Sequence, residues 1–164
     1  MQTSPKQCRM QLPNALVATL LDSWPVGRLA TVTAGGDAHG VPIVFCRHEG
    51  MIFSPLDSKA KRSARLRRFD NVAHNPAASL LLDHYAADWQ QLWWVRIDGP
   101  AERYEPGDVE GAAIGARLRS KYPQYTQSGF HFEQTTYLRL RPARIVAWAQ
   151  SGSVATIQAS LPAG

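Results

Sequence analysis

The residues best suited to chemistry in this sequence are the cations of one short segment, residues 59–68. The segment contains six of the 18 Lys and Arg residues and no Asp or Glu, namely Lys59, Lys61, Arg62, Arg65, Arg67 and Arg68. The remaining cations are slightly outnumbered by the 13 acidic residues, so the formal net charge of +5 comes from this segment. Such a local concentration of positive charge indicates a local anionic partner.

The spacing of these cations predicts that several of them point the same way. We expect a helix over residues 60–72, with Ser58 as its N-cap, directly after a strand. On that helix one side would carry four cations, Lys61, Arg62, Arg65 and Arg68. Free N–H groups at a helix N-terminus favour anions, and arginine can hold a phosphate with two parallel hydrogen bonds. The segment therefore predicts a phosphate-binding site.

Two other interpretations of residues 59–68 remain open. The first is a solvated helix face, although such faces usually mix charge signs, with acidic residues four positions from the cations. The second is a nucleic-acid surface, although the patch is short and the rest of the chain is slightly acidic.

The rest of the sequence predicts a mainly antiparallel β-structure. Asn14 is the expected N-cap of a first helix whose apolar stripe is Leu16, Val17, Leu20 and Leu21. Alternating apolar residues and turn residues predict six strands, at residues 27–33, 40–47, 51–56, 78–85, 92–104 and 135–148. Further helices are expected at residues 60–72 and 107–120. Because helices and strands do not alternate regularly, the fold class expected is α+β.

Three finer expectations concern particular residues. Pro42 cannot donate a ladder hydrogen bond, so its strand is expected at an edge or an opening of the sheet. Gly99 and Pro100 predict a bulge or bend in the long fifth strand. The helix at residues 107–120 is expected to be lined on one side by Val109, Ala112, Ala113 and Ala116.

The length of 164 residues fits one domain. We expect a flexible arm at residues 1–13, the domain at 14–150 and a tail at 151–164. The two cysteines, Cys8 and Cys46, lack CxxC spacing, which favours isolated reduced thiols. Without a recognisable signal sequence or membrane span, a soluble cytoplasmic protein is expected. The five histidines are scattered, so no metal site is predicted.

Several strings of this sequence, taken in order, resemble the pyridoxamine-5′-phosphate-oxidase-like split-barrel superfamily. They are RLATVT, GVPIVF, MIFSPLDSKAKR, NPAASLLLDHY and VRIDGPAERY, and the later RPARIVAW is similar to the terminal strand of the deazaflavin-dependent branch. The resemblance covers residues 14–150 and rests on the order and spacing of these strings. It implies a six-stranded antiparallel split β-barrel with peripheral helices, forming a homodimer with cofactor sites at the interface.

The resemblance also implies which residues hold the cofactor. The phosphate would be bound at Lys59, Lys61 and Arg62, with Arg65 next along and Ser58 at the entry to the helix. The ring would lie beside the second strand, at Val41, Pro42 and Ile43, and near the end of the third, at Phe53 and Ser54. Tyr85, Trp93 and Trp94 are the expected residues closing the pocket from the partner subunit.

The implied function is hydride transfer between a reduced deazaflavin, coenzyme F420, and a small organic acceptor. Six cations exceed what one phosphate needs, which favours F420 and its acidic oligoglutamate tail over FMN. The alternatives are an FMN-dependent reductase or oxidase of the same fold and a non-catalytic protein that binds haem, flavin or nucleic acid. The C-terminal residues 151–164 contain no Arg or His, which counts against pyridoxamine phosphate oxidation. No catalytic dyad is identified.

Overall fold

The computed structural model describes residues 12–56, 66–127, 129–132, 135–150 and residue 157. Within these residues it contains three α-helices and eight strands, which confirms the α+β class. In chain order the elements are α1 (Asn14–Ser23), β1 (Gly27–Val32), β2 (Ala38–Ile43), β3 (Cys46–His48), β4 (Met51–Pro55), α2 (Arg67–His74), β5 (Ala77–His84), β6 (Trp93–Tyr104), α3 (Asp108–Lys121), β7 (Tyr137–Leu140) and β8 (Arg144–Ala149). Most of the expected arm (1–13) and tail (151–164) lies outside the described residues.

The strands form one antiparallel sheet with the order β2-β1-β5-β6-β7-β4-β3, and β8 also pairs with β6. The two ends of this path, β2 and β3, are consecutive in the chain and are joined by only Val44 and Phe45. The sheet therefore curls until its ends meet at one corner. Because β2 is an end strand, the expectation that Pro42 belongs to an edge is confirmed.

The expected number of six strands is wrong, since eight occur in the described part of the chain. The second predicted strand is interrupted at the Val44–Phe45 corner, and the last one is interrupted around Pro142. Strands β7 and β8 follow the same edge of β6, where Ala101 faces Leu140 and Asp98 faces Arg144. Between these two pairs, residues 141–143 oppose residues 99 and 100, so the β7–β8 side has one extra residue. This bulge accommodates Pro142, which has no N–H to donate.

Gly99 lies at the point where β6 changes partners. Strand β6 runs without interruption from Trp93 to Tyr104, but it pairs with β8 before this point and with β7 after it. A Cβ atom at Gly99 would collide with the carbonyl oxygen of Arg141. Glycine is therefore required here because two backbones approach closely. The break expected in this strand does not occur, since β6 is continuous and the extra residue lies opposite it, between β7 and β8.

The apolar side chains form two clusters. The larger one lies between the inner face of β1, β5 and β6 and the helices α1 and α2, with Leu29, Leu80, Trp93 and Ile97 at its centre. The expected stripe of α1 is buried there, as predicted. The smaller cluster packs α3 against β4 and β7 and includes Phe53, Ile114, Leu118, Phe132 and Tyr137.

The buried face of α3 differs from the prediction. The helix buries Gly111, Ile114, Gly115 and Leu118, whereas Val109 is 87% exposed and Ala112 and Ala116 are also exposed. The larger Ile114 and Leu118 side chains gain more from burial than alanines do. The glycines allow close packing, since a Cβ at Gly115 would press on Phe132.

Two helix starts were also predicted wrongly. Helix α1 begins at Asn14 itself, after an N-cap Pro13 that makes no side-chain capping bond. Helix α2 begins at Arg67, because the preceding Leu66 has extended backbone with ψ of 107°. A continuous helix from residue 60 to 72 is thus excluded, and Arg68 does not extend a helix that carries Lys61.

Candidate functional site

A cleft opens on the outer face of the sheet, where β1, β5 and β6 form the floor and β2 forms a wall. Its volume is about 420 Å³, which is within the range of small-molecule and cofactor sites. It is lined by Arg28, Leu29, Ala30, Gly40, Val41, Pro42, Ser79, Leu81 and Arg96. The cleft thus combines apolar surface with two arginines.

The strand registers explain why these side chains meet. Pro42 faces Arg28 across β2 and β1, Arg28 faces Leu81 on β5, and Leu81 faces Arg96 on β6. Residues directly opposite in antiparallel strands share a face of the sheet, so these four form one row. Neighbouring positions such as Leu29 alternate to the core, which leaves the row on the outer face.

Each arginine of the row is held by an aspartate. The Arg28 Nε donates to Asp83 Oδ1 at 2.7 Å, and the Arg96 Nε donates to Asp98 Oδ2 at 3.1 Å. Ser79 Oγ donates to the other carboxylate oxygen of Asp98 at 2.7 Å. The guanidinium groups therefore have defined orientations on the floor of the cleft.

The structure brings only some of the predicted cofactor residues to this cleft. Val41 and Pro42 line it, and the adjacent Ile43 turns its side chain into the core. Phe53 and Ser54 lie on β4 with side chains that are 1% and 2% exposed, and they do not line the cleft. The predicted phosphate-binding positions, Ser58, Lys59, Lys61, Arg62 and Arg65, lie outside the described residues.

The last residue of the basic segment, Arg68, contacts the end of β4. Arg68 lies in the first turn of α2, and its Nη2 donates to the carbonyl of Pro55 at 3.4 Å. The next residue after Pro55, Leu56, donates its backbone N–H to the carbonyl of Thr136 at 2.8 Å. The start of α2 therefore lies beside the end of β4.

The aromatic residues expected to close a partner's pocket lie in different environments. Trp93 is fully buried in the core of its own subunit, so its assignment to a partner's pocket is wrong. Tyr85 is 72% exposed beyond the end of β5. Trp94 is half-buried on the outer face, where it faces Trp148 across β6 and β8.

Sequence reasoning missed Arg28, Ser79, Leu81 and Arg96 as residues of the site. Because side chains alternate along a strand, Arg28 points to the face opposite the buried Leu29. Arg96 likewise points to the face opposite the buried Val95 and Ile97. This signal shows that they point outward. It does not show that β1, β5 and β6 are neighbours, which is what gathers them.

Another group of buried polar residues lies at the corner between β2 and β3, away from the cleft. Burial raises the pKa of the Cys46 thiol to about 12, so this cysteine is not a thiolate nucleophile at neutral pH. Burial lowers the pKa of Lys121 to about 7, while its Nζ donates to the carbonyl of Leu21 at 2.9 Å. Among the described residues no three His, Cys, Asp or Glu side chains are grouped to hold a metal ion.

None of the described helices is long and apolar enough to cross a membrane.

The sequence profile of the pyridoxamine 5′-phosphate oxidase family matches residues 14–149, and the chain belongs to this family. It is also 28% identical, over 139 residues and 84% of each chain, to a reductase of Streptomyces rimosus. The name of that relative is 5a,11a-dehydrotetracycline/5a,11a-dehydrooxytetracycline reductase. Family and relative together support a general oxidoreductase role with a flavin-type cofactor.

Solved structures show the same fold at low sequence identity. A conserved hypothetical protein of Mycobacterium tuberculosis superposes with a TM-score of 0.70 at 19% identity, covering 99% of this chain and 96% of its own. A haem storage protein of Vibrio cholerae gives 0.64 at 16% identity, with 87% and 99% covered. An FAD-binding protein of Mesorhizobium loti gives 0.62 at 17% identity, with 85% and 96% covered.

Proposed function

We propose that this protein transfers hydride between reduced coenzyme F420 and a small organic acceptor. The observation that carries the proposal is the cleft beside β2, whose apolar lining, from Pro42 on its wall and Ala30 and Leu81 on its floor, suits one face of a flat ring. The reductase relative and the family membership support the reaction class. When bound, the coenzyme supplies the hydride, and the protein contributes orientation and electrostatics.

The described residues fit a flavin-type ring. Strand β2 pairs only with β1 in the described chain, so part of its backbone N–H and C=O groups faces away from the sheet. Such groups can bind the polar edge of a ring whose face rests on Pro42. The ring of F420 or FMN would meet this strand in the same way, so the wall alone does not choose between them.

The choice of F420 rests on the basic segment, residues 59–68. Its six cations are uncompensated by acids within the segment, and they suit a ligand with a phosphate and several carboxylates. In this proposal Lys59, Lys61, Arg62 and Arg65 bind the phosphate and the acidic tail. FMN carries the phosphate alone and would leave much of this charge unneutralised.

A homodimer is part of the proposal. The outer face of the sheet carries large half-buried apolar side chains, Leu81, Trp94, Val146 and Trp148, over which the described residues place no second layer. A second copy of the chain laid on this face would cover them and would enclose the cleft. Sedimentation equilibrium should then give twice the subunit mass of 18.1 kDa, and Trp148→Glu should shift the protein towards monomers.

The test of the function is a pair of titrations on one protein preparation. Quenching of coenzyme fluorescence should show binding of F420 that is at least about tenfold tighter than that of FMN. The double variant Lys59→Glu with Arg62→Glu should weaken F420 binding by at least about tenfold, because each charged hydrogen bond is worth roughly 1.5–3 kcal/mol.

A matched charge reversal away from the segment controls for the change in net charge. The control is Arg103→Glu with Arg117→Glu, since these exposed arginines lie on β6 and α3 and do not line the cleft. It should retain affinity for F420 and an unchanged circular dichroism spectrum. Preferred binding of FMN would identify an FMN enzyme instead, and failure to bind either coenzyme would overturn the proposal.

A further inference from the structure

We propose that Arg28 and Arg96 bind the acceptor through a delocalised oxyanion, such as a carboxylate, phenolate or enolate, on the edge of a flat apolar molecule. This inference rests on the proposed function and adds the chemical class of its substrate. The starting observation is that both arginines lie in the same cross-strand row of the cleft, separated by Leu81.

The outer donors of both arginines are available to a ligand. Within the described residues, the hydrogen bonds of Arg28 and Arg96 use Nε alone, towards Asp83 and Asp98 respectively. The two Nη groups of each guanidinium form its outer fork, the geometry that binds two oxygens of one ligand. Each aspartate thus orients an arginine and leaves the fork available to a ligand.

The charges on the floor of the cleft are balanced. Each guanidinium is paired with one carboxylate, so the two pairs together add no net charge to the floor of the cleft. This balance distinguishes the cleft from the basic segment, residues 59–68, which has no acids. A dianionic phosphate suits the uncompensated segment, whereas a singly charged, delocalised oxyanion suits oriented donors within neutral pairs.

The shape of the cleft suits a flat molecule. Between and beside the arginines the cleft is lined by apolar surface, from Leu81, Ala30 and Pro42. A molecule that lies on this surface and reaches the arginine forks has a flat apolar body and an acidic edge. Conjugated acceptors with ionised hydroxyl or carboxyl groups have this character, and an organic cation or a sugar does not.

The test compares two naphthoquinones that differ at one substituent. Lawsone has an acidic hydroxyl that is ionised at neutral pH, and menadione has a methyl group at the corresponding position. Calorimetric titration of each quinone into protein saturated with oxidised coenzyme measures binding without turnover. The wild-type protein should bind lawsone about tenfold more tightly or better, as expected for one charge-assisted hydrogen bond.

The variants Arg28→Met and Arg96→Met remove the forks and retain most of the side-chain volume. Each should reduce the preference for lawsone to within about twofold, while the affinities for menadione and for the coenzyme stay unchanged. The control is Arg103→Met, because Arg103 is exposed on β6 and does not line the cleft. It should retain the preference for lawsone.

Three results would overturn the inference. They are a wild-type protein that binds both quinones equally, variants that retain the preference, and variants that lose the coenzyme rather than lawsone. The last result would mean that the arginines bind the coenzyme itself. Failure of the wild-type protein to bind any coenzyme is a different outcome, since it contradicts the proposed function. In that case the quinone titrations, done on the same protein without coenzyme, still test whether the arginines bind an oxyanion.

Discussion

The hydroxyl of Tyr122 accepts a hydrogen bond from the backbone N–H of Phe45 at 3.0 Å, across 77 residues of sequence. It also lies within hydrogen-bonding distance of the carbonyl oxygens of Phe45 and Pro25, at 3.0 and 2.9 Å. These groups lie where the chain turns from β2 into β3. One side chain thus satisfies the backbone at the corner that joins the two ends of the sheet.

We predict that Tyr122→Phe destabilises the protein by about 1–3 kcal/mol, because the buried N–H of Phe45 loses its partner. Urea denaturation measures the change in the free energy of unfolding. The control is Tyr85→Phe, whose side chain is 72% exposed and which should change stability by less than about 0.5 kcal/mol. Equal stabilities of the two variants would contradict the role of Tyr122 at the corner.

Lys121 should make stability depend on pH. Its amine lies 3.6 Å from the centre of the Phe45 ring, and burial lowers its pKa from 10.5 to about 7. Between these values the unfolded chain binds a proton that the folded chain does not, so the free energy of unfolding rises with pH. The slope approaches about 1.4 kcal/mol per pH unit for one such group.

The comparison with Lys121→Met isolates this effect, since the variant lacks the titrating amine. The wild-type protein should gain stability relative to the variant between pH 7 and 9, as measured by urea denaturation at several pH values. The pH range ends at 9 because of Cys46, whose pKa is raised from 9.0 to about 12. Above pH 9 this thiol makes the free energy of unfolding fall as the pH rises. Parallel pH profiles of the two proteins would contradict the prediction.

Gly99→Ala should be strongly destabilising, by several kcal/mol, because the new methyl group would occupy the space of the Arg141 carbonyl oxygen. The matched control is Gly40→Ala on β2, where an added Cβ has no atom within 4 Å. Thermal unfolding of both variants measures the difference. A Gly99→Ala protein with the melting temperature of the wild type would show that β6 and the β7–β8 bulge are not in close contact.

The buried amide of Asn71 connects α2 to β1. Its Nδ2 donates to Thr31 Oγ1 at 2.9 Å, and both residues are at most 3% exposed. We predict that Thr31→Val costs about 1–3 kcal/mol, since it leaves the amide unpaired. A double-mutant cycle with Asn71→Leu should give a coupling energy of about 0.5 kcal/mol or more, and additive effects would show that the bond contributes nothing.

Local sequence patterns predicted much of the secondary structure. The alternation of Leu29 and Thr31 with Arg28 and Ala30 predicted both the position and the buried face of β1. The apolar stripe of α1 likewise predicted the face of this helix that is buried. These features depend on the periods of strands and helices, which are properties of neighbouring residues. The same reasoning failed for α3, because its buried face combines Ile114 and Leu118 with two glycines, and glycine has no side chain to mark the face that packs closely against Phe132.

By itself, the sequence determined the α+β class, the concentration of cations at residues 59–68 and the edge position that Pro42 requires. Only the tertiary structure decided that β1, β5 and β6 are neighbours. That order places Arg28 beside Asp83, 55 residues away, and aligns Arg28 with Arg96 across Leu81. The periodicity of apolar residues is set within a few residues, whereas strand order results from the packing of the whole sheet against its core. No local sequence pattern therefore predicts the cleft.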